Sequence, residues 1–223
     1  MKESYLTKKM SIAALVKMQM FHDDIKALYK ANDMDILDNL GRRNTVMSAA
    51  QEKFFASELK KKYATVIDDG KTGQPDIVIE EIDKELECKL TSQHASGAWL
   101  LQTDYVTLQK KGSLDYLYVL ASADFGSFCV LHFDGLTTDD FFMPGKSGRG
   151  RAKLNIHNAI TKCRVLHGDV YNKNDESIKT LEERLPTIRP TQKAKRKATL
   201  SRISRLRQAR PIYKFKLCKV QNI

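Results

Sequence analysis

The spacing of apolar residues changes twice along the chain, and each change marks a different kind of element. Between residues 10 and 40, Ile12, Leu15, Val16, Met20, Phe21, Ile25 and Leu28 recur at intervals of three and four. That period predicts an amphipathic helix. Leu37-Asp38-Asn39-Leu40-Gly41 reads as a helix end with glycine at the cap. A second helix is predicted from Asn44 or Thr45 to about Tyr63.

The period then shortens to two. Ala64-Thr65-Val66-Ile67 is an extended piece, followed by the polar turn cluster Asp68 to Gly73. Ile77-Val78-Ile79 and Leu86-Glu87-Cys88-Lys89-Leu90 read as two strands joined by a tight turn near Ile82-Asp83. A helix is expected from Trp99 to Leu108, closing at Lys111-Gly112, and strands at 114–120 and 128–133 with Gly126 in the turn between them. A Gly-rich basic loop follows at 144–151, then an amphipathic piece at 176–184. Near the end, Thr199–Arg210 has a helical pattern and 212–217 alternates apolar with basic residues. The order of elements implies an α/β (mixed α+β) protein with a central mixed sheet flanked by helices.

Composition sharpens this picture in two places. With 42% hydrophobic residues the chain can bury a core, and it has no apolar run of membrane-spanning length. No signal-peptide pattern opens the sequence, so a cytoplasmic protein is expected. The four cysteines (Cys88, Cys129, Cys163, Cys218) lack the close pairing of a zinc ribbon or a disulfide framework. The net charge of +11 is unevenly placed: residues 185–223 hold 12 Lys/Arg and no acid, leaving 26 basic against 27 acidic residues in 1–184. Two regions are therefore expected, a domain at 1–184 and a basic C-terminal extension at 185–223 suited to nucleic acid.

The candidate chemistry sits on the hairpin. Alternation puts Glu85, Glu87 and Lys89 on one face of their strand, with Leu86, Cys88 and Leu90 on the other. With the turn centred between Ile82 and Asp83, Asp76 pairs opposite Lys89 and lies beside Glu87. Hard carboxylate oxygens suit Mg²⁺, and an adjacent lysine, its pKa depressed by burial, suits activation of a water. Glu52 lies on the stripe formed by Ala49, Phe55, Ala56 and Leu59 of the second helix, where a carboxylate is out of place unless it points into a site. The bland alternative is a solvated amphipathic hairpin.

Pro75-Asp76, ten residues, then Glu87-Cys88-Lys89 resembles the PD-(D/E)xK nuclease superfamily, to which most type II restriction endonucleases belong. The resemblance covers about residues 45–135 and implies a restriction-endonuclease-like core. It implies Asp76 and Glu87 as metal ligands, Lys89 as the catalytic lysine, and Glu52 as a metal-linked acid. The activity implied is Mg²⁺-dependent hydrolysis of double-stranded DNA, by a restriction enzyme acting as a homodimer beside a possible cognate methyltransferase. A structure-specific nuclease, or a nucleic-acid-binding protein without catalysis, are the rival readings.

Candidate DNA contacts are Lys146, Arg149 and Arg151 in the Gly-rich loop and Lys195, Arg196, Lys197, Arg202 and Arg205 in the tail. Ser92, Gln93 and His94, just after the motif strand, are weighed as contacts to DNA or the metal shell, against the commoner case of a polar loop with no special role. Gly145-Lys146-Ser147 is not a P-loop, because Asp140 stands where the motif needs glycine.

Overall fold

The computed structural model describes residues 4–71, 74–94, 96–143 and 150–220. The chain divides into two compact units, Met1–Gly168 with Leu217–Ile223, and Asp169–Lys216.

The first unit opens with α1 (Lys8–Lys30) and α2 (Leu40–Leu59), followed by β1 (Val66–Ile67), β2 (Ile77–Ile79) and β3 (Lys84–Ser92). Next come β4 (Gln102–Asp104), α3 (Tyr105–Lys111), β5 (Leu114–Ala121) and β6 (Phe128–Leu136). The unit ends with β7 (Phe141–Phe142), β8 (Arg151–Leu154), α4 (Ile156–Ala159) and β9 (Cys163–His167). A six-stranded mixed sheet runs β1-β2-β3-β5-β6-β9, and β4-β8-β7 form a small second sheet. β3 and β5 are parallel, whereas β2 and β6 run antiparallel to them. This is the mixed sheet flanked by helices that the order of elements predicts.

Helix ends depend on caps, and here the first expectation is corrected. α1 stops at Lys30, and the chain turns through Asp33 at φ 55. Asn39 does not close a helix; its side chain accepts from the Arg42 N–H at 3.0 Å and starts α2. Gly41 therefore lies in the first turn of α2, and Met20 and Leu28 of α1 stay exposed, because its buried stripe is Ser11, Ala14, Leu15, Met18 and His22.

β5 is buried at all eight positions, since both faces of the sheet are covered. On one face Leu86, Cys88, Leu117, Val119 and Val130 join Leu15 and Met18 of α1 and Met47, Phe55 and Leu59 of α2 in one core cluster. Each large apolar side chain so buried stabilises the fold by about 1.5–3 kcal/mol. On the other face the Tyr116 hydroxyl bonds Thr103 Oγ1 at 2.8 Å, and the Tyr118 hydroxyl donates to the Gln102 carbonyl at 3.2 Å. Those bonds fasten β4 over the sheet. The expected helix from Trp99 is thus wrong in its first half. Residues 102–104 pair with 151–153 of β8, a partner invisible in local periodicity, and α3 starts only at Tyr105, where Asp104 caps Thr107.

The second unit comprises β10 (Asp169–Asn172), α5 (Lys173–Arg184), α6 (Lys193–Gln208) and β11 (Tyr213–Lys216). β10 pairs antiparallel with β11, from Asp169↔Lys216 to Asn172↔Tyr213. That pairing explains why this unit begins at Asp169 rather than near 185: a strand and a helix ahead of the basic run close the unit with it.

Candidate active site

β2 is short, and its shortness creates the site. It pairs with β3 only through Ile77↔Leu86, Val78↔Glu85 and Ile79↔Lys84. The turn is tightened by one 3₁₀ turn at Glu80–Ile82 and by Asp83 at φ 51. The expected pairing of Asp76 with Lys89 is therefore off by two residues; one more rung of the observed ladder sets Asp76 beside Glu87. Beyond that point no strand among the described residues pairs with β3 on the β2 side, leaving an open edge, while its pairing with β5 continues to Ser92↔Ala121. Asp76 closes the ladder with its side chain, its Oδ2 accepting from the Cys88 N–H at 2.7 Å. Its other oxygen takes no hydrogen bond from a described residue.

Glu87 and Lys89 share a face of β3 and are bonded to each other, the Lys89 ammonium donating to Glu87 Oε1. Leu86 and Cys88 face the core, as alternation requires. Burial pushes the Asp76 carboxyl above its ordinary pKa, against the pull of Lys89 and the Cys88 N–H. Burial raises Glu87 as well, Lys89 opposing and Asp76 adding to the rise. Glu52, from α2, reaches the same field: desolvation first, then repulsion from Asp76, raises it to about 7. Three carboxyls thus crowd one ammonium in a poorly solvated place. Such a group has an unmet demand for positive charge.

Lys89 departs from expectation in sign. Burial disfavours its ammonium, but Glu87 and Asp76 outweigh burial and hold its pKa above the ordinary value. It remains a cation rather than a neutral amine. Glu52 is also placed differently from the helical stripe drawn for it. Ala49 is exposed, the buried side of α2 runs through Arg43, Met47, Ala50, Gln51, Phe55 and Leu59, and Glu52 flanks that side half-buried. Glu85, further down the face, is paired with Lys111 of α3 at 2.7 Å.

An open cleft of about 760 Å³ extends from Lys89 along the free edge of β3. Thr91, Ser92, Gln93 and His94 form one wall, Gly41 and Asn44 of α2 another, and Gln102, Asp104 and Arg151 a third. Repulsion from Asp104 adds to the rise of the Glu87 carboxyl. Sequence reasoning missed Asn44 and Asp104; they reach the cleft only through helix docking and the β4–β8 pairing. Arg151 is brought to the cleft, whereas Lys146 and Arg149 lie outside the described residues.

In the second unit, Lys195, Lys197, Arg202 and Arg205 are exposed on α6. Arg196 is partly buried and donates to the Ile188 carbonyl at 3.2 Å, so its guanidinium is in part spent on the fold. A separate group, Asp115, His132 and Asp134, has ligand atoms within 4.8 Å of one another. Its acids already have cations, Lys84 at 3.0 Å from Asp115 and Arg164 at 3.1 Å from Asp134. The Tyr5 hydroxyl and the Gly135 N–H also donate to Asp115. Its carboxylates are thus matched by cations, while the buried His132 Nδ1 has no hydrogen-bond partner among the described residues.

No family model, curated protein or solved structure matches this chain. Among the described residues, no helix is long and apolar enough to cross a membrane.

Proposed function

We propose that this protein is a Mg²⁺-dependent endonuclease of the PD-(D/E)xK kind, hydrolysing phosphodiester bonds of double-stranded DNA. The observation that carries the reading is the convergence of Asp76, Glu87 and Glu52 on Lys89 at the open edge of β3, with carboxyl pKa values raised by burial. The donor set fits a hard divalent cation: carboxylate oxygens only, too many for the one ammonium present. Asp76, through the oxygen not bonded to Cys88, Glu87 and Glu52 would hold it. When bound, Mg²⁺ supplies a water of lowered pKa and offsets charge on the scissile phosphate.

The chain's own groups set the geometry. The Cys88 N–H fixes the Asp76 carboxylate in place. Glu87 pins the Lys89 ammonium at the mouth of the cleft, where it attracts a phosphate oxygen and orients the attacking water as a hydrogen-bond donor. The second unit carries 14 Lys/Arg against five Asp/Glu, with no acid after Glu183, and supplies a sequence-independent attraction for the polyanion. A sequence-specific restriction enzyme of this kind acts as a homodimer on a palindrome. The test is incubation of long duplex DNA with the protein and Mg²⁺, beside Lys89→Ala. Discrete fragments made only by the unmodified chain support a restriction nuclease, and cutting of branched DNA alone points to a structure-specific one. DNA left intact by both sinks the reading.

A further inference from the structure

Arg43 is among the largest fully buried side chains of the described residues, and none of those residues gives it a carboxylate partner. Its guanidinium is saturated with neutral acceptors. One arm donates to the backbone carbonyls of Ser122 (3.1 Å) and Ala123, the other to Ser92 Oγ and Asn44 Oδ1 (3.0 Å), and Nε also reaches Asn44 Oδ1 at 3.3 Å. Phe125 packs against the cation with 5.0 Å between Cζ and the ring centroid. Burial lowers the guanidinium to about 10, with Asp124 opposing weakly from a distance. At neutral pH the group is therefore charged, and no carboxylate among the described residues bonds it directly, Asp124 acting only through its field. Buried charges are as a rule paired.

Two of its four partners border the cleft. Ser92 and Asn44 line the cleft that begins at Lys89, and Arg151 lines the same cleft. With its oxygen turned to the guanidinium and to the Ser92 hydroxyl (3.1 Å), Asn44 has its amide N–H groups left for the cleft.

We propose that Asn44 and Ser92, backed by the buried Arg43, form an anion seat for a backbone phosphate next to the one held at Lys89. The seat rests on the nuclease reading for the identity of the anion, a phosphodiester of the DNA being cut. The Asn44 amide donates to the phosphate oxygens, the Ser92 hydroxyl holds that amide in place by donating to Asn44 Oδ1, and the guanidinium behind them supplies the charge at second hand. Lys89 and Ser92 lie three residues apart, on opposite faces of β3, but both line the cleft at its edge, so the seat fixes where along the backbone the scissile bond falls. Arg43, Asn44 and Ser92 are positioning residues in this scheme.

Asn44→Asp separates this role from a structural one, because the two predict opposite outcomes. An aspartate there gives Arg43 the counter-charge it lacks, so the melting temperature rises, while the seat is neutralised and DNA is repelled. Binding of a labelled duplex to the full chain, measured in EDTA, is expected to weaken about ten- to a hundredfold. The slope of log affinity against log salt is expected to shrink by about one phosphate contact. Ser92→Ala weakens binding several-fold and Ser92→Thr restores it; Arg43→Met, which strips five hydrogen bonds, is read beside these in case it unfolds. An Asn44→Asp chain that is stabilised yet binds DNA with unchanged affinity and salt slope overturns the seat, as does a parent chain that binds no DNA. The binding arm contains no Mg²⁺ and reads no cleavage. A chain that binds through Asn44 and Ser92 but never cuts therefore overturns the nuclease reading and leaves the seat standing.

Discussion

Replacing Glu52 by Gln should stabilise the metal-free protein, and the effect should appear only above a definite pH. The native carboxyl is raised from 4.5 to about 7 by burial and by Asp76, against Lys89. A group whose pKa is higher in the folded than in the unfolded chain contributes stability fully below the unfolded value. That contribution is lost as pH rises through the folded value. Between 4.5 and about 7 the folded chain therefore loses stability relative to a chain with an uncharged group there. The full shift corresponds to about 3.4 kcal/mol, at about 1.4 kcal/mol for each pH unit. Glu52 is only half-buried, and solvent screening reduces this to about 1–2 kcal/mol. Gln has nearly the helix propensity of Glu, so little is lost on α2. For a chain of this length the expected rise in melting temperature is about 2–8 °C at about pH 8, vanishing toward about pH 4.5. Thermal unfolding of both proteins in EDTA across that range reads it directly. A destabilised variant at high pH, or a difference that does not depend on pH, would falsify the electrostatic account of the site.

The same cluster makes other outcomes checkable. Millimolar Mg²⁺ should raise the melting temperature of the parent chain at about pH 8 and less at about pH 6, where protons compete for the raised carboxyls; titration by differential scanning fluorimetry checks it. Asp76→Asn keeps an acceptor for the Cys88 N–H and should fold normally while losing the Mg²⁺ response, whereas Asp76→Ala leaves that N–H unpaired and should also cost about 1–3 kcal/mol in a urea melt. His22 is buried and stacked on Phe125 at 4.7 Å, with Asp23 Oδ1 3.6 Å from Nδ1, and burial lowers its pKa against the pull of Asp23; stability should fall as pH drops below the imidazole's ordinary range, and His22→Phe should flatten that fall in acid-denaturation curves. Changing Lys195, Lys197, Arg202 and Arg205 together to Gln should weaken binding evenly across DNA sequences and lower the salt slope by up to about four contacts, seen in a filter-binding salt series.

Much of the site was legible before any tertiary structure. Strand alternation alone separates Glu87 and Lys89 from Leu86 and Cys88, because side chains on a strand alternate whatever the strand packs against. The mixed α/β class followed from the same switch between periods of about 3.6 and two. Register was not legible: the turn at 80–83 takes a 3₁₀ form, and a two-residue slip leaves the alternation of both strands unchanged while moving Asp76 from Lys89 to Glu87. Local patterns also hid β4, which is a strand only through its pairing with β8, and β8, which lies between β4 and β7.

The sequence by itself determined which residues of β3 share a face, where the basic charge lies, and that Asp76 precedes a strand. Tertiary structure decided the rest. Docking of α2 brings Glu52 into the field of Asp76, and packing raises Lys89 rather than depressing it, since two buried carboxylates outweigh its own desolvation. Docking also buries Arg43 behind Asn44 and Ser92, residues 48 apart in the chain. Electrostatic fields depend on distance and solvent exclusion, which neighbouring letters of a sequence do not carry.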